Sequence, residues 1–464
     1  MLKRRLPIIA VFAACFLATI GLLIYTYWVR TGYGPAVNKA HQEYVAWKAN
    51  GLPTTREQLF DKPLADKDNA AFALKQAFDL FKPHRSAASA QGFWDAENYE
   101  NGKIATFITG IEPALHATYE ASTKPDCRFP RDLDLGIMVL YPEFAQMKTL
   151  AKFLAADAEI KARKGERTGA LLDIRTGRRL AYFAARDPGV IGAMVGIAID
   201  SIMLDAVGTI ASDAADQPTF LAALRKSIED TNWKIDPARV VRSEAYSNLA
   251  TLRNLDEKQM VSLLKDDYEG ALMPIGNGPL ARDGLPRSIL ARSAAAEAMA
   301  FWNAYYPRLA DDRNNRRSIG AEMDAETSTW STSSSEPKKA LAYMAGAFGG
   351  TDYQAAFTAI DREAIHQETM VAFLAILQYH QAHGSWPPDL KTVRVDALDL
   401  DGKPLRYRHD EKTARVWSIG ANLADDGGVS PREVRRQKLD PRANVDDACI
   451  YPWPKRPPPI KENF

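Results

Sequence analysis

From Leu6 to Trp28 the chain carries no charged residue, and a helix of roughly 20 such residues spans a ~30 Å hydrocarbon layer. Lys3, Arg4 and Arg5 precede the run, while only Arg30 follows closely. That bias keeps residues 1–5 as a cytoplasmic tip and sends the remainder across the membrane. Tyr25, Tyr27 and Trp28 supply an aromatic belt at the outer interface. The same start fits a cleavable signal peptide, and Ala13-Ala14-Cys15 a lipoprotein cleavage site. The run continues well beyond Cys15, whereas a signal core is roughly 7–15 residues long and gives way to small and polar residues. An uncleaved transmembrane helix over 6–28 is therefore the expectation. A second apolar stretch, Val190 to Ile210, holds Asp200 and Asp205. Each would cost roughly 2.5–3.5 kcal/mol near a bilayer centre, so this stretch reads as a buried helix of a soluble core.

Beyond the anchor, 46% hydrophobic and 25% charged residues are ordinary for globular protein, and the length allows about two to three domains. A formal net charge of +1 provides no global field for a polyanion, and no basic block with interleaved aromatics occurs; nucleic acid is disfavoured as a partner. With Cys15 inside the apolar run, only Cys127 and Cys449 reach the outer compartment, where disulfides persist. A Cys127–Cys449 bridge and two separate buried thiols both remain open.

The fold class expected is mainly α, with a large helical array over residues 29–326. Ala40 to Asn50 reads as a helix closed by Gly51 and Pro53. Glu143 to Lys164 opens behind Pro142, carries one apolar stripe and ends at Gly165. Further helices are expected at Ala170–Ala185, Gly189–Ala211, Pro218–Asp230, Pro237–Asn254, Asp256–Tyr268 and Pro286–Tyr306. Short connections make such stripes bury on one another. Thr327 to Glu336 is rich in serine and threonine and precedes Pro337, so 327–339 reads as a linker. A small α+β domain follows at 340–432. Its long helix runs from Tyr353 to Ala382, and the strands Leu405–Arg408 and Arg415–Ile419 flank a turn at His409-Asp410-Glu411-Lys412. Residues 433–464 carry five prolines near their end, at Pro452, Pro454 and Pro457 to Pro459, and read as an extended tail.

In the C-terminal region the long helix leads to Tyr379-His-Gln-Ala-His-Gly-Ser-Trp-Pro-Pro-Asp-Leu390. Asp401-Gly-Lys-Pro-Leu-Arg-Tyr407 and Trp417-Ser-Ile-Gly-Ala-Asn-Leu-Ala-Asp-Asp-Gly-Gly428 come next. This order resembles the globular part of the type II secretion major pseudopilins. In that family a helix ends in a Tyr and a Gly-Tyr-Pro-type turn, followed by an Asp-x-x-Gly-x-Pro-x-x-Tyr turn and an Asp- and Gly-rich loop. The whole chain also resembles bacterial membrane-anchored envelope proteins of unassigned activity, on Gly51-Leu-Pro-Thr-Thr and Asp68-Asn-Ala-Ala71. A pseudopilin carries its assembly helix directly before the globular domain, with a peptidase site and an early glutamate. Here the helical region intervenes, and Leu6 to Trp28 has neither signal. The resemblance thus implies a borrowed fold on a tether at the outer face of a bacterial inner membrane, with the bulk periplasmic.

Pseudopilins of that family bind calcium in the Asp-rich loop, and the matching positions are Asn422, Asp425 and Asp426. Calcium takes 6 to 8 oxygen ligands, and a solvated Asp-Gly turn is the competing account. His380 and His383 lie near a helix end without a third ligand in reach, so zinc is disfavoured. Asp399-Leu-Asp401-Gly402 lacks the closing ligands of an EF-hand and reads as a turn, and Gly276-Asn-Gly-Pro279 as a loop. No Gly-x-Ser-x-Gly elbow occurs, and the pair Asp311-Asp312 reads as surface charge. The function expected is therefore a structural or accessory role through interaction with other envelope proteins, related to secretion or pilus-like machinery. An envelope hydrolase without a recognisable motif and a calcium-dependent binding module are the alternatives.

Overall fold

The computed structural model describes residues 17–24, 26, 34–94, 98, 101–231, 233–264, 280, 283–286, 288–309, 313–348, 352–429 and 447–450. The fold is mainly helical. Of the expected anchor, 17–24 is helical, and Leu17, Leu22, Leu23 and Ile24 are between 62% and 67% exposed. Residues 1–5, Cys15 and the expected aromatic belt of Tyr25, Tyr27 and Trp28 lie outside the described residues, as do Gly276 to Pro279 and Asp311-Asp312.

The helices are α1 (Gly34–Ala49), α2 (Ala70–Phe81), α3 (Lys103–Gly110), α4 (Glu112–Ser122), α5 (Pro142–Arg163), α6 (Arg167–Arg186) and α7 (Val190–Asp213). They continue with α8 (Pro218–Asp230), α9 (Pro237–Asn254), α10 (Glu257–Leu264), α11 (Ile289–Tyr305), α12 (Arg313–Ser328), α13 (Glu336–Phe348) and α14 (Tyr353–His383). A few one-turn helices join them. Proline opens α5, α8 and α9 at a position where its missing N–H costs nothing. The Asp236 side chain also caps α9 by accepting from Ala238 N–H. Asp352 caps α14 through Ala355 N–H, and Gly384, at φ +70°, ends it.

Two main cores form. One gathers apolar side chains of α2 to α8, most of α14 and the strands; the other gathers α1, α9 to α13 and the start of α14. α1 docks on α11 through buried Trp47, whose Nε1 donates to Pro53 O at 2.9 Å, and through Asn303 Nδ2 donating to Glu43. α7 is long and apolar enough to cross a membrane by length and composition, yet half of its apolar window is buried within the molecule. It lies against α5, α6 and α14. Small residues permit that approach: a Cβ on Gly196 would meet Ala185 Cβ at 2.6 Å, and one on Gly177 would meet Met203 Sδ at 2.3 Å.

The stretch expected to be a linker is instead the end of α12, a short turn and the start of α13. Trp330 in that turn is 7% exposed and packs edge-on against Phe301, ring centroids 5.2 Å apart. α13, placed by its sequence position with the α+β part, contributes Ala340, Leu341 and Met344 to the second helical core. Burial of the large Trp330 ring and of Ala340, Leu341 and Met344 outweighs the flanking Ser/Thr composition.

After α14 come β1 (Arg406–His409), β2 (Ala414–Ser418) and β3 (Ala448–Ile450), one antiparallel sheet in the order β1-β2-β3. Arg406 pairs with Trp417 and His409 with Ala414 across the hairpin. Asp410 Oδ1 closes the turn by accepting from Lys412 and Thr413 N–H. β3 corrects the reading of 433–464 as extended tail throughout: its residues complete the sheet edge, with Trp417 opposite Cys449. The proline-rich end beyond it lies outside the described residues.

Candidate functional site

The Asn422, Asp425 and Asp426 loop is bonded to itself and to the sheet. Asp425 Oδ1 accepts from Trp417 Nε1 at 2.9 Å and from Gly427 N–H at 3.0 Å. Asn422 Oδ1 accepts from Ala424 N–H, and its amide donates to Asp426 Oδ2 at 3.3 Å. Among the described residues no three His, Cys, Asp or Glu gather closely enough to hold a metal ion. One feature sequence reasoning missed lies beside the loop: Asp447 is buried, its Oδ2 accepts from the Gly428 N–H at 2.9 Å, and its Oδ1 has no hydrogen-bond partner. Burial, reinforced by Asp426 and Asp425, pushes its carboxyl up to about 6.

His380 and His383 do not face one ligand. His380 stacks on Trp386 with centroids 3.8 Å apart, and His383 stacks on Tyr379 at 4.0 Å. Cys127 is a free buried thiol, and the Cys449 side chain lies outside the described residues; burial raises the Cys127 pKa well above the usual range, chiefly by desolvation. Asp399, read only as part of a turn, is the staple of the hairpin. Its Oδ1 accepts from Ser418 Oγ at 2.6 Å and its Oδ2 from Ile419 N–H at 2.9 Å. Arg406 bridges Asp399 and Asp401, and this guanidinium holds the Asp401 carboxyl down at about 2.

Charged groups also meet inside the helical cores. Arg178 lies 3.5 Å from Asp200, and its NH2 donates to Gln367 Oε1 at 3.0 Å. Gln367 in turn donates to Glu363 at 3.2 Å. All four side chains are buried, and burial beside Asp200 pushes the Glu363 carboxyl well up. Between α4, α5 and α6, Lys161 bridges Asp157 and Asp173 at 2.7 and 2.9 Å, and Tyr119 donates to Asp173.

A cavity of about 410 Å³ opens where the first turn of α7 meets α9, α11, α12 and α13. Phe301, Trp302, Trp330 and Tyr353 line it, with Trp302 edge-on to Tyr353 at 5.7 Å. Two carboxylates, Glu244 and Asp324, stand in the same wall. Glu244 Oε1 accepts from Val190 N–H at 2.7 Å, the start of α7. Asp324 accepts from Tyr353 and Gln354 N–H, both at 2.9 Å, at the start of α14. Burial raises both carboxyls, and Asp352 adds to the shift of Asp324. A cavity of this size, with aromatic walls and a polar side formed by Ser247, Asn248, Thr327, Ser328 and Ser331 beside the two carboxylates, has the dimensions of a small-molecule site. The sequence carried one local sign of it, a tryptophan set within a Ser/Thr run; the convergence of α9, α11 and α14 is long-range.

No family model matches the chain, no curated protein matches its sequence, and no solved structure matches its fold.

Proposed function

We propose that the chain is a tethered envelope protein with a structural or accessory role exercised through binding, anchored in a bacterial inner membrane and carrying a pseudopilin-like C-terminal module. The observation that supports this most is the helical stretch 17–24, whose Leu17, Leu22, Leu23 and Ile24 are largely exposed. Leaving several leucine-sized side chains in water forfeits roughly 1.5–3 kcal/mol each, a cost a hydrocarbon layer removes. The order of α14, the turn at Pro387 and the hairpin supports the likeness to pseudopilins, as does Tyr407 OH donating to Pro387 O at 2.8 Å. The test is expression of the full chain in a bacterium, followed by alkaline washing of membranes and affinity purification from detergent. It is expected to stay with the membrane and to co-purify with other envelope proteins. Release by the wash would remove the tether; recovery of the chain alone would remove the interaction.

A second reading, a calcium-dependent binding module, draws on the unpartnered Oδ1 of Asp447 beside Asp425 and Asp426. Calcium there would need Asp425 to release Trp417 Nε1. Melting the full chain with calcium and with a chelator decides it: a higher midpoint with calcium supports the module, and an unchanged midpoint removes it.

A further inference from the structure

The cavity beside α7 has a consistent electrostatic character. Among the described residues that line it there is no lysine, arginine or histidine, while Glu244 and Asp324 are both present. No described cation pairs with Glu244, whose α9 position places it opposite the first turn of α7. An anion would find the helix N-termini already taken, since Val190 N–H is held by Glu244, and Tyr353 and Gln354 N–H by Asp324. Aromatic faces carry negative quadrupole density, and five aromatic side chains stand in this wall: Tyr141, Phe301, Trp302, Trp330 and Tyr353. Carboxylates and ring faces together, in a space closed to basic side chains, complement a cation with apolar substituents.

We infer that this cavity is a binding site for a small organic cation of the quaternary-ammonium or alkylamine class, with the aromatic rings around its alkyl groups and Glu244 as counter-charge. An inorganic cation would not fill about 410 Å³ or use the rings. A neutral apolar molecule would use the rings and leave both carboxylates uncompensated.

The experiment titrates choline, and separately its neutral carbon isostere dimethylbutanol, onto the full chain in detergent, with heat and tryptophan fluorescence as readouts. Choline is expected to bind at least about tenfold more tightly than the isostere, a difference that a cation–π and counter-charge site supplies readily. Glu244→Gln is expected to lower choline affinity by about tenfold while leaving isostere affinity unchanged. Equal affinity of the two probes for the unaltered chain overturns the inference, as does absence of choline binding. The comparison on the unaltered chain stands whether or not Glu244→Gln folds. Neither result depends on whether the tether or the envelope partners are as proposed.

Discussion

Asp173 shows what burial does to a single carboxyl. It is fully enclosed, and desolvation with Asp157 nearby raises it to about 7, against the pull of Tyr119 and Lys161. The unfolded chain releases that proton near about 3.9, so the folded protein binds more protons between the two values. Its contribution to stability is full below the unfolded value and is lost as pH rises through about 7. Asp187, at about 6 by burial against Arg131, acts in the same direction. Melting temperature is expected to fall on going from about pH 5 to about pH 8, and Asp173→Asn to flatten part of that slope; a slope unchanged by the substitution would count against the assignment. Asp399→Ala, which strips Ser418, Ile419 and Arg406 of their shared acceptor, is expected to cost about 3–5 kcal/mol in denaturant unfolding. These roles were not legible in the sequence. Asp399 sits in an Asp-Leu-Asp-Gly turn like many others, and only the return of β2 beneath it creates its function. His380 and His383 were equally ambiguous until Trp386 and Tyr379 were seen against their rings.

Elements were far more readable, because their ends carry local chemistry. Pro218 and Pro237 begin α8 and α9 where the sequence placed them, and Gly51 and Gly165, both with φ above +70°, follow α1 and α5. α12 and α13 escaped because the Ser/Thr run between them resembles a loop by composition, although part of it is helical. The fate of α7 turned on its internal Asp200, which the sequence marks as costly in a bilayer, and on its small residues, whose part only the packing shows. Arg178 meets the aspartate and α6 meets the glycines. Gly196→Ala forces a Cβ to within 2.8 Å of Ala181 O and is expected to cost about 1–3 kcal/mol in thermal or denaturant unfolding. Gly165→Ala instead meets only its own φ of +82°, with nothing nearby, so its smaller loss, about 1 kcal/mol, separates backbone strain from crowding.

For the whole molecule, the proposed tether precedes the first described residue that enters a core, Ala40. α1 starts at Gly34, and its buried Ala40 and Trp47 belong to the second core. Removing residues 1–33 is expected to leave the melting temperature within experimental error while shifting the protein from membranes to the soluble fraction; a large fall in melting temperature would show that the segment is part of the fold. The sequence reading divides the chain into a helical array and a small α+β unit, and α14 packs across that division. α14 belongs to both, with Phe357 in the second core, Ile360 in a small cluster with Ala193 and Val240, and Ile365 to Leu377 in the first core beside Val416. At 31 residues it is a strut about 46 Å long. Its first residue, Tyr353, is a wall of the aromatic cavity, and its last turns lie by the hairpin, where Tyr407 is tied to Pro387. The cavity wall at Tyr353 and the support of the hairpin are thus the two ends of one continuous helix, so any substitution that shifts α14 along its axis reaches both at once.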